Sequence, residues 1–322
     1  MSPDASKSTC WVISDGAAGN ERQARALAGA LGLEPRVLQL RLSQPWNWLS
    51  PHLTLGAQSA MRDEGGSPIE APWPDIAIGC GRKAALLTRC LRRWSAGRCF
   101  TVQILDPRTD PRHFDLVVTP KHDRLVGKNV IETLGALNPV DDEWLSRGRE
   151  SFRHLGAFPS PRIGVLIGAS TGAVRLDDDY FRSLVSMLGE QHARHGGSFL
   201  VSTSRRTPPL MASRLRTEFS RWPGLFWGGP QDGENPYAGI LAWSDRIVVT
   251  PDSVNMISEA CATGKPVCAF GSERVTGKLR MFQSQLGSAG FLVGSLSGDT
   301  VQALRETPEV AALVGKRMRT RT

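Results

Sequence analysis

Short apolar runs alternate with amphipathic stretches along the first half of the chain. Apolar runs that are typical of buried strands lie at 10–14, 36–40, 75–80, 100–105 and 116–119. Between them, apolar residues at helical spacing predict helices over 20–31 and 83–94, and Asn20 with Gln23 forms a candidate capping box for the first. Strands that alternate with helices in this way predict a parallel sheet covered by helices.

The same alternation starts again after residue 161. Further strands are predicted at 162–168, 198–204, 225–227, 246–250 and 267–270, with helices after residue 177, near 211–222 and after residue 252. The Gly- and Pro-rich segment 153–161 separates the two series and is the predicted linker. The predicted domains are therefore 1–157 and 158–322, and the basic ending from Lys316 to Arg321 is predicted to be a solvated tail.

The stretch from Arg246 to Phe270 carries the clearest motif. A β-branched strand runs into a Pro-Asp-Ser turn, a helix with a Ser-Glu-Ala step, a Gly-Lys-Pro turn and another strand. The helix is expected to begin at Asp252 or Ser253, whose side chain can cap backbone N–H groups and leave others for a phosphate. Glu259 falls outside the predicted core face, where its carboxylate can accept hydrogen bonds from ribose hydroxyls.

This segment resembles the donor-binding signature of GT-B glycosyltransferases and sugar-nucleotide 2-epimerases, in which the glutamate of a Ser-Glu-Ala helix holds the nucleotide ribose. Nearly the whole chain is similar to the mitochondrial-fission ELM-like family, whose bacterial branch is described as nucleoside-diphosphate-sugar enzymes. The phrases that carry the likeness are SDGAAGNERQARALA at 14–28, VQILDPR at 102–108, NPY at 235–237 and TGKL at 276–279. The resemblance implies an α/β protein of two Rossmann-like domains facing across a cleft, the GT-B arrangement. It also implies an acceptor-side first domain and a donor-binding second domain.

Basic and hydroxyl side chains at another predicted strand end of the second domain suit a diphosphate. Arginine guanidinium groups bind phosphate oxygens in a bidentate way, although a solvated loop is the alternative for Arg205 and Arg206. The candidate donor-binding residues are Ser204, Arg205, Arg206, Asp252, Ser253, Asn255, Glu259 and Lys278.

An inverting sugar transfer also needs a base that removes the acceptor proton. Asp15 and His122 each follow a predicted strand of the first domain and are the candidate catalytic residues, with structural capping as the alternative. The acidic runs 141–143 and 177–179 precede helical patterns, so they are predicted to cap helices. No metal site and no cofactor are predicted, since the nucleoside-diphosphate sugar is a substrate. The six cysteines lack metal-binding spacing and are expected to be reduced core thiols.

The charge and hydropathy of the chain limit its partners and location. A net charge of +8 favours anionic partners, but the cations are scattered rather than gathered with aromatic residues, so nucleic acid is not expected. No apolar run approaches the ~20 residues of a membrane helix, and the expected location is cytoplasmic. Segment 41–55, with Trp46 and Trp48 among prolines, has two interpretations. It covers the core of its own domain, or it touches the inner face of a membrane or a lipid-linked acceptor.

These patterns and the resemblance together predict a metal-independent GT-B glycosyltransferase that uses a nucleoside-diphosphate sugar donor and an unknown acceptor. An epimerase on the same scaffold is the nearest alternative, because it needs the same donor pocket. A non-catalytic adaptor that recruits a protein partner, as in plant members of the family, is the alternative from another class. The sequence does not predict the oligomeric state.

Overall fold

The computed structural model describes residues 8–294 and 301–321 and divides into two compact units. Unit 1 consists of Met1–Pro139 and Glu306–Thr322, and unit 2 consists of Val140–Arg305. Each unit contains its own parallel sheet. Among the described residues, no helix combines the length and the apolar character needed to cross a membrane.

Unit 1 is a parallel sheet with helices on both faces. Its elements up to Pro139 are β1 (Cys10–Ser14), α1 (Ala18–Ala30), β2 (Pro35–Gln39), β3 (Arg41–Leu42), α2 (Trp46–Leu49), α3 (Ala57–Ala60), β4 (Met61–Arg62), β5 (Ile76–Cys80), α4 (Arg82–Trp94), β6 (Phe100–Ile104), β7 (Leu116–Pro120) and β8 (Val130–Thr133). The main sheet has the order β2-β1-β5-β6-β7-β8. Successive residues of a strand face opposite sides, so Val12 packs in a cluster with Leu27 of α1 while Ile13 packs in another with Leu87 of α4. Burial on both faces explains why these strands are apolar runs.

Unit 2 repeats this architecture. Its elements are α5 (Asp142–Ser151), β9 (Arg162–Ile167), α6 (Asp178–His195), β10 (Ser198–Thr203), α7 (Pro209–Phe219), β11 (Gly224–Trp227), α8 (Tyr237–Trp243), β12 (Arg246–Val249), α9 (Val254–Cys261), β13 (Val267–Ala269) and α10 (Gly277–Ser288). The sheet order is β11-β10-β9-β12-β13, and every pairing is parallel. The carboxyl ends of β10, β9 and β12 therefore lie side by side, and polar loops follow each of them.

The last helix of the chain, α11 (Thr307–Arg321), belongs to unit 1. Val310 and Val314 are buried in the α1-side core, and Arg321 forms an ion pair of 2.7 Å with Asp115. The carboxylate of Glu306 accepts hydrogen bonds from the backbone N–H groups after β8, at 2.7 and 2.8 Å. The basic ending is thus part of a packed helix rather than a free tail, because the apolar residues of α11 lie in the core of unit 1, while its cations are exposed to solvent as predicted.

The compact units also differ from the predicted domains at the first boundary. The predicted linker 153–161 lies inside unit 2, where Leu155 is buried. Helix α5 precedes that segment and packs on α8, and Gly148 approaches the backbone of Ala238 so closely that a Cβ would lie 2.7 Å from its carbonyl oxygen. Gly and Pro in this segment therefore mark a turn within a packed unit, and the change of unit comes between Pro139 and Val140.

The helix ends show which polar residues serve local structure. Asp141 accepts from the N–H of Trp144 at 2.7 Å and Asp177 from that of Tyr180 at 3.0 Å, which confirms the predicted capping by both acidic runs. The predicted capping box of the first helix is wrong: Ala17 is the N-cap residue, without a side-chain bond. All six cysteines, each within the described part of the chain, are free, and five of them are buried, as the sequence predicted.

Candidate functional site

Asp252 joins three neighbouring strand ends of unit 2. Its side chain is fully buried, and one carboxylate oxygen accepts from the Thr250 hydroxyl at 2.6 Å. The other accepts from the backbone N–H of Ala169 at 3.2 Å and from the guanidinium of Arg206 at 3.1 Å. Burial raises the pKa of this carboxyl, and these donors oppose the rise. Asp252 therefore links the loops after β9, β10 and β12 through hydrogen bonds. The sequence did not predict this structural role.

Ser253 begins α9. Its hydroxyl accepts from the N–H of Met256 at 3.3 Å, so Ser253 is the N-cap residue and the helix starts at Val254. Of the two predicted starting positions, Ser253 is the one that caps. The remaining N–H groups of the first turn and the helix dipole favour a negative charge at this end of α9.

The loop after β10 presents the predicted basic side chains. Ser204 is used within this turn, since its hydroxyl lies 3.1 Å from that of Thr207 and accepts from the N–H of Arg206. Thr207 in turn donates to the carbonyl of Gly168, which fixes the loop to the end of β9. Arg205 is exposed and forms no ion pair with a carboxylate within the described residues. Of the two arginines, Arg205 is thus the one whose charge is not already matched by Asp252.

Glu259 lies in different surroundings from those expected. It is only 2% exposed, and its Oε2 accepts from the hydroxyl of Tyr237 at 2.5 Å. Tyr237 is half-buried and begins α8, where Asn235 accepts from its backbone N–H at 3.0 Å. The Asn-Pro-Tyr motif and the Ser-Glu-Ala motif, which are more than twenty residues apart in sequence, therefore meet in space. A carboxylate this well buried requires such donors, because an unpaired buried charge is very costly.

The other two candidates of unit 2 lie in the first turns of two helices. Asn255 is half-exposed in the first turn of α9, and Lys278 is exposed in the first turn of α10. Glu259 follows the N-cap residue by six positions, which corresponds to about 9 Å along the helix axis. The capped end of α9 and the buried carboxylate are therefore separate positions along one helix.

In unit 1, Asp15 and His122 follow strands that are not neighbours. Asp15 accepts from the N–H of Ala17 and the side-chain amide of Asn20, at 3.2 and 3.1 Å, and remains half-exposed in the loop after β1. His122 is buried in a short turn after β7. Because β5 and β6 lie between these strands, three strand spacings separate the two ends, or roughly 14 Å. The sequence-predicted pair therefore lies at separate strand ends of the sheet.

Arg82, a cation at the start of α4, has a structural explanation. Its guanidinium donates to the carbonyl oxygens of Trp48 and Ser50, at 3.2 and 2.8 Å. A cation is unfavourable at a helix N-terminus, and these bonds to the tryptophan-rich segment account for its presence there.

Comparison with known proteins shows which family this architecture represents. The family model described as Mitochondrial fission ELM1 matches residues 18–318. The chain belongs to the mitochondrial fission ELM1 family. A relative is the mitochondrial fission protein ELM1 of Arabidopsis thaliana, 29% identical, with 89% of this chain and 84% of the relative covered.

Solved structures show the fold of this ELM1 family member. The UDP-GlcNAc 2-epimerase of Methanocaldococcus jannaschii matches with a TM-score of 0.50 and 12% identity over 95% of this chain and 92% of the epimerase. The UDP-N-acetylglucosamine 2-epimerase of Rickettsia bellii matches with the same score and identity over 98% and 95% of the two chains. The predicted fold class, an α/β protein with two Rossmann-like domains of the GT-B type, is confirmed.

Tyr237 is the polar residue of this region that sequence reasoning missed as part of the site. The Asn-Pro-Tyr phrase supported the resemblance to the family, but no chemical role followed from it. A hydrogen bond between a tyrosine at the start of one helix and a carboxylate on another leaves no periodic pattern in the sequence. Only the folded arrangement of the two motifs, which are distant in sequence, brings the Tyr237 hydroxyl to Glu259.

Proposed function

We propose that unit 2 binds a nucleoside-diphosphate sugar at the carboxyl ends of β9, β10 and β12, and that the protein transfers the sugar to an acceptor. The observation that carries the proposal is the meeting of the Tyr237 hydroxyl and the Glu259 carboxylate on the helix whose start is capped by Ser253. In parallel α/β sheets, ligands bind outside the carboxyl ends of the strands. Two proteins that share this fold are named for UDP-GlcNAc, which supports a sugar-nucleotide ligand.

The division of roles follows the length of α9. The separation of about 9 Å between its capped end and Glu259 suits a ribose at the carboxylate and a diphosphate at the helix start. Arg205 adds a charge that is not matched by a carboxylate, and Lys278 supplies a second cation from α10. For the ribose to reach Glu259, the Tyr237 hydroxyl must share the carboxylate with it or turn aside.

The transfer step needs a group that accepts the acceptor proton and groups that stabilise the departing diphosphate. The acceptor oxygen bonds to the anomeric carbon while the bond from that carbon to the diphosphate breaks. The acceptor proton passes to a carboxylate, and the half-exposed Asp15 suits this better than the buried His122. The departing diphosphate gains negative charge, which the start of α9 and Arg205 stabilise.

Binding is tested by calorimetry and thermal unfolding with nucleoside diphosphates and their sugars. At 100 times its dissociation constant, a ligand should add about 2.7 kcal/mol to the free energy of unfolding. Glu259→Gln, which loses one strong acceptor, should bind about three- to tenfold more weakly. Glu273→Gln, an exposed glutamate of the same unit, is the matched control. The ribose assignment fails if folded Glu259→Gln binds as tightly as the parent, and the whole proposal fails if no nucleotide binds.

The type of reaction is tested separately. Incubation with the sugar-nucleotide alone should leave it intact if the protein is a transferase, and Asp15→Asn should lower kcat with acceptor present while nucleotide binding is unchanged. Release of free nucleotide with an isomerised sugar in the absence of any acceptor would instead establish the epimerase.

A specific observation favours a non-catalytic adaptor as the second candidate. Glu259 is nearly sealed from solvent and already holds a hydrogen bond, as expected of a carboxylate kept for structure. The relative in Arabidopsis thaliana is named for mitochondrial fission. Absence of nucleotide binding together with stable capture of a defined protein partner would support this function.

A further inference from the structure

An apolar projection stands out on unit 1. The Trp48 loop, defined as residues 43–60, contains the side chains of Trp48 and Leu55, which are 73% and 84% exposed, and the exposed Leu49. Trp46, in contrast, packs against the core cluster that includes Leu87. From sequence, segment 41–55 either covers its own core or contacts a membrane or lipid, and the structure separates these two possibilities between different residues. Trp46 covers the core of its own unit, and Trp48 does not.

The exposed position of Trp48 is fixed by hydrogen bonds. Arg82 donates to the carbonyl oxygen of Trp48 at 3.2 Å and to that of Ser50 at 2.8 Å, and Arg89 donates to that of Pro51 at 3.2 Å. The indole N–H of Trp46 donates to the carbonyl oxygen of Leu55 at 2.9 Å, which closes the loop. The fold therefore holds these apolar side chains in water, at a cost that a partner surface would remove.

The chain segments that form the loop and α4 are rich in cations, although Asp63 follows the loop and pairs with Arg36, and the Asp15 carboxylate lies close to Gly81 at the start of α4. No aspartate or glutamate occurs in residues 35–62 or 76–105. The cations of these two segments are Arg36, Arg41, Arg62, Arg82, Lys83, Arg89, Arg92, Arg93 and Arg98. Arg82 and Lys83, in the first turn of α4 beside the loop, form no ion pair with a carboxylate within the described residues. A surface that combines exposed tryptophan and leucine with unpaired cations complements a negatively charged apolar boundary.

We infer that the Trp48 loop and the first turn of α4 bind the surface of an anionic lipid bilayer. Tryptophan favours the membrane interface because its ring is apolar and its N–H is polar, and cations beside it are attracted by anionic headgroups. Trp48, Leu49 and Leu55 enter the boundary between headgroups and acyl chains, while Lys83 remains at the headgroup level. This surface lies on unit 1 and does not depend on the proposed nucleotide site, although it would suit a lipid-linked acceptor.

The test is co-sedimentation of the full chain with vesicles of phosphatidylcholine, with and without phosphatidylglycerol. The parent should bind the anionic vesicles, and binding should fall as salt is raised. The double variant Trp48→Ser, Leu49→Ser should bind about tenfold more weakly, since it loses two apolar insertions. Leu210→Ser, which changes a 65% exposed leucine of unit 2, is the matched control and should bind as the parent does. Leu55→Ser provides a second test if the double variant does not fold.

Charge is tested within one helix. Lys83→Glu should weaken binding severalfold, whereas Arg93→Glu, ten residues or about 15 Å further along α4, should weaken it less. Equal binding by the double variant and the parent would overturn the inference. It would also be overturned by equal binding of neutral and anionic vesicles, or by a parent dimer in ultracentrifugation that the double variant abolishes. Calorimetry with nucleoside diphosphates in the same variants keeps this outcome separate from that of the proposed function.

Discussion

Replacing Gly168 by alanine tests the structural role assigned to Asp252. A Cβ at Gly168 would lie 2.1 and 2.2 Å from the two carboxylate oxygens of Asp252, far inside van der Waals contact. The carboxylate is fully buried and bonded, so it cannot move aside without leaving its partners. Gly168→Ala should therefore act mainly by disrupting Asp252.

The expected loss can be worked out from the bonds that break. Displacement of the carboxylate breaks the bond from the Thr250 hydroxyl, worth about 1 kcal/mol, and leaves the buried N–H of Ala169 without its acceptor, at about 1 to 2 kcal/mol. The Arg206 guanidinium is more than half exposed, so its ion pair adds less than about 1 kcal/mol. Gly168→Ala should thus lower the free energy of unfolding by about 3 kcal/mol, and so should Asp252→Ala.

Urea unfolding followed by far-UV circular dichroism measures both single variants and the double variant. With the carboxylate already removed, the added methyl group of Gly168→Ala no longer meets the three atoms nearest to it, all of which belong to Asp252, so the double variant should lose about 3 kcal/mol, not 6. Alanine also lowers the conformational entropy of the unfolded chain, which can raise the free energy of unfolding by about 0.5 kcal/mol. Additivity of the two single losses within about 0.5 kcal/mol would refute the reasoning.

Three further predictions concern partly buried polar groups. Tyr237→Phe should lower the free energy of unfolding by about 1 to 2 kcal/mol, because Glu259 loses a hydroxyl donor in a buried position; an unchanged thermal midpoint would contradict this. Burial lowers the pKa of Lys265 from 10.5 to about 7, so the folded state binds fewer protons than the unfolded state between these values. The free energy of unfolding should therefore rise with pH across that window, and denaturation of Lys265→Met over the same pH range should lack this rise. Glu306→Ala should lower the free energy of unfolding by about 2 kcal/mol, because two backbone N–H groups after β8 lose their acceptor. A Glu306→Ala variant with the same urea midpoint as the parent would disprove this prediction.

The strands and main helices could be predicted from sequence because burial on both sheet faces produces long apolar runs. The strand over 100–105 and the helix over 83–94, for example, were found at 100–104 and 82–94. The division into units could not be predicted in the same way. Gly and Pro at 153–161 indicated a linker, but whether such a segment is exposed depends on the packing of α5 and α8, which is a contact distant in sequence. The apolar positions of α11 are likewise compatible with a short surface helix until its partner sheet is known.

The elements that carry the candidate residues were predictable, but the surroundings of those residues were not. Strand ends and the cap at Ser253 follow from local rules, and both are observed. The partners of Asp252 and Glu259 are side chains and amides from other loops, so their burial cannot be read from helical spacing. The prediction of an exposed face through Glu259 illustrates this limit, because spacing separates two faces of α9 without showing what covers each of them.

The return of α11 to unit 1 affects the order in which the protein can fold during synthesis. Every residue of unit 2 leaves the ribosome before the helix that supplies Val310 and Val314 to the first core. Unit 2 is one uninterrupted segment and can complete its sheet as it emerges. Unit 1 keeps part of its apolar surface exposed until α11 has been synthesised. Nascent chains that end at residue 305 and are held on the ribosome by an added linker long enough to span the exit tunnel should therefore show unit 2 protected from protease and unit 1 susceptible.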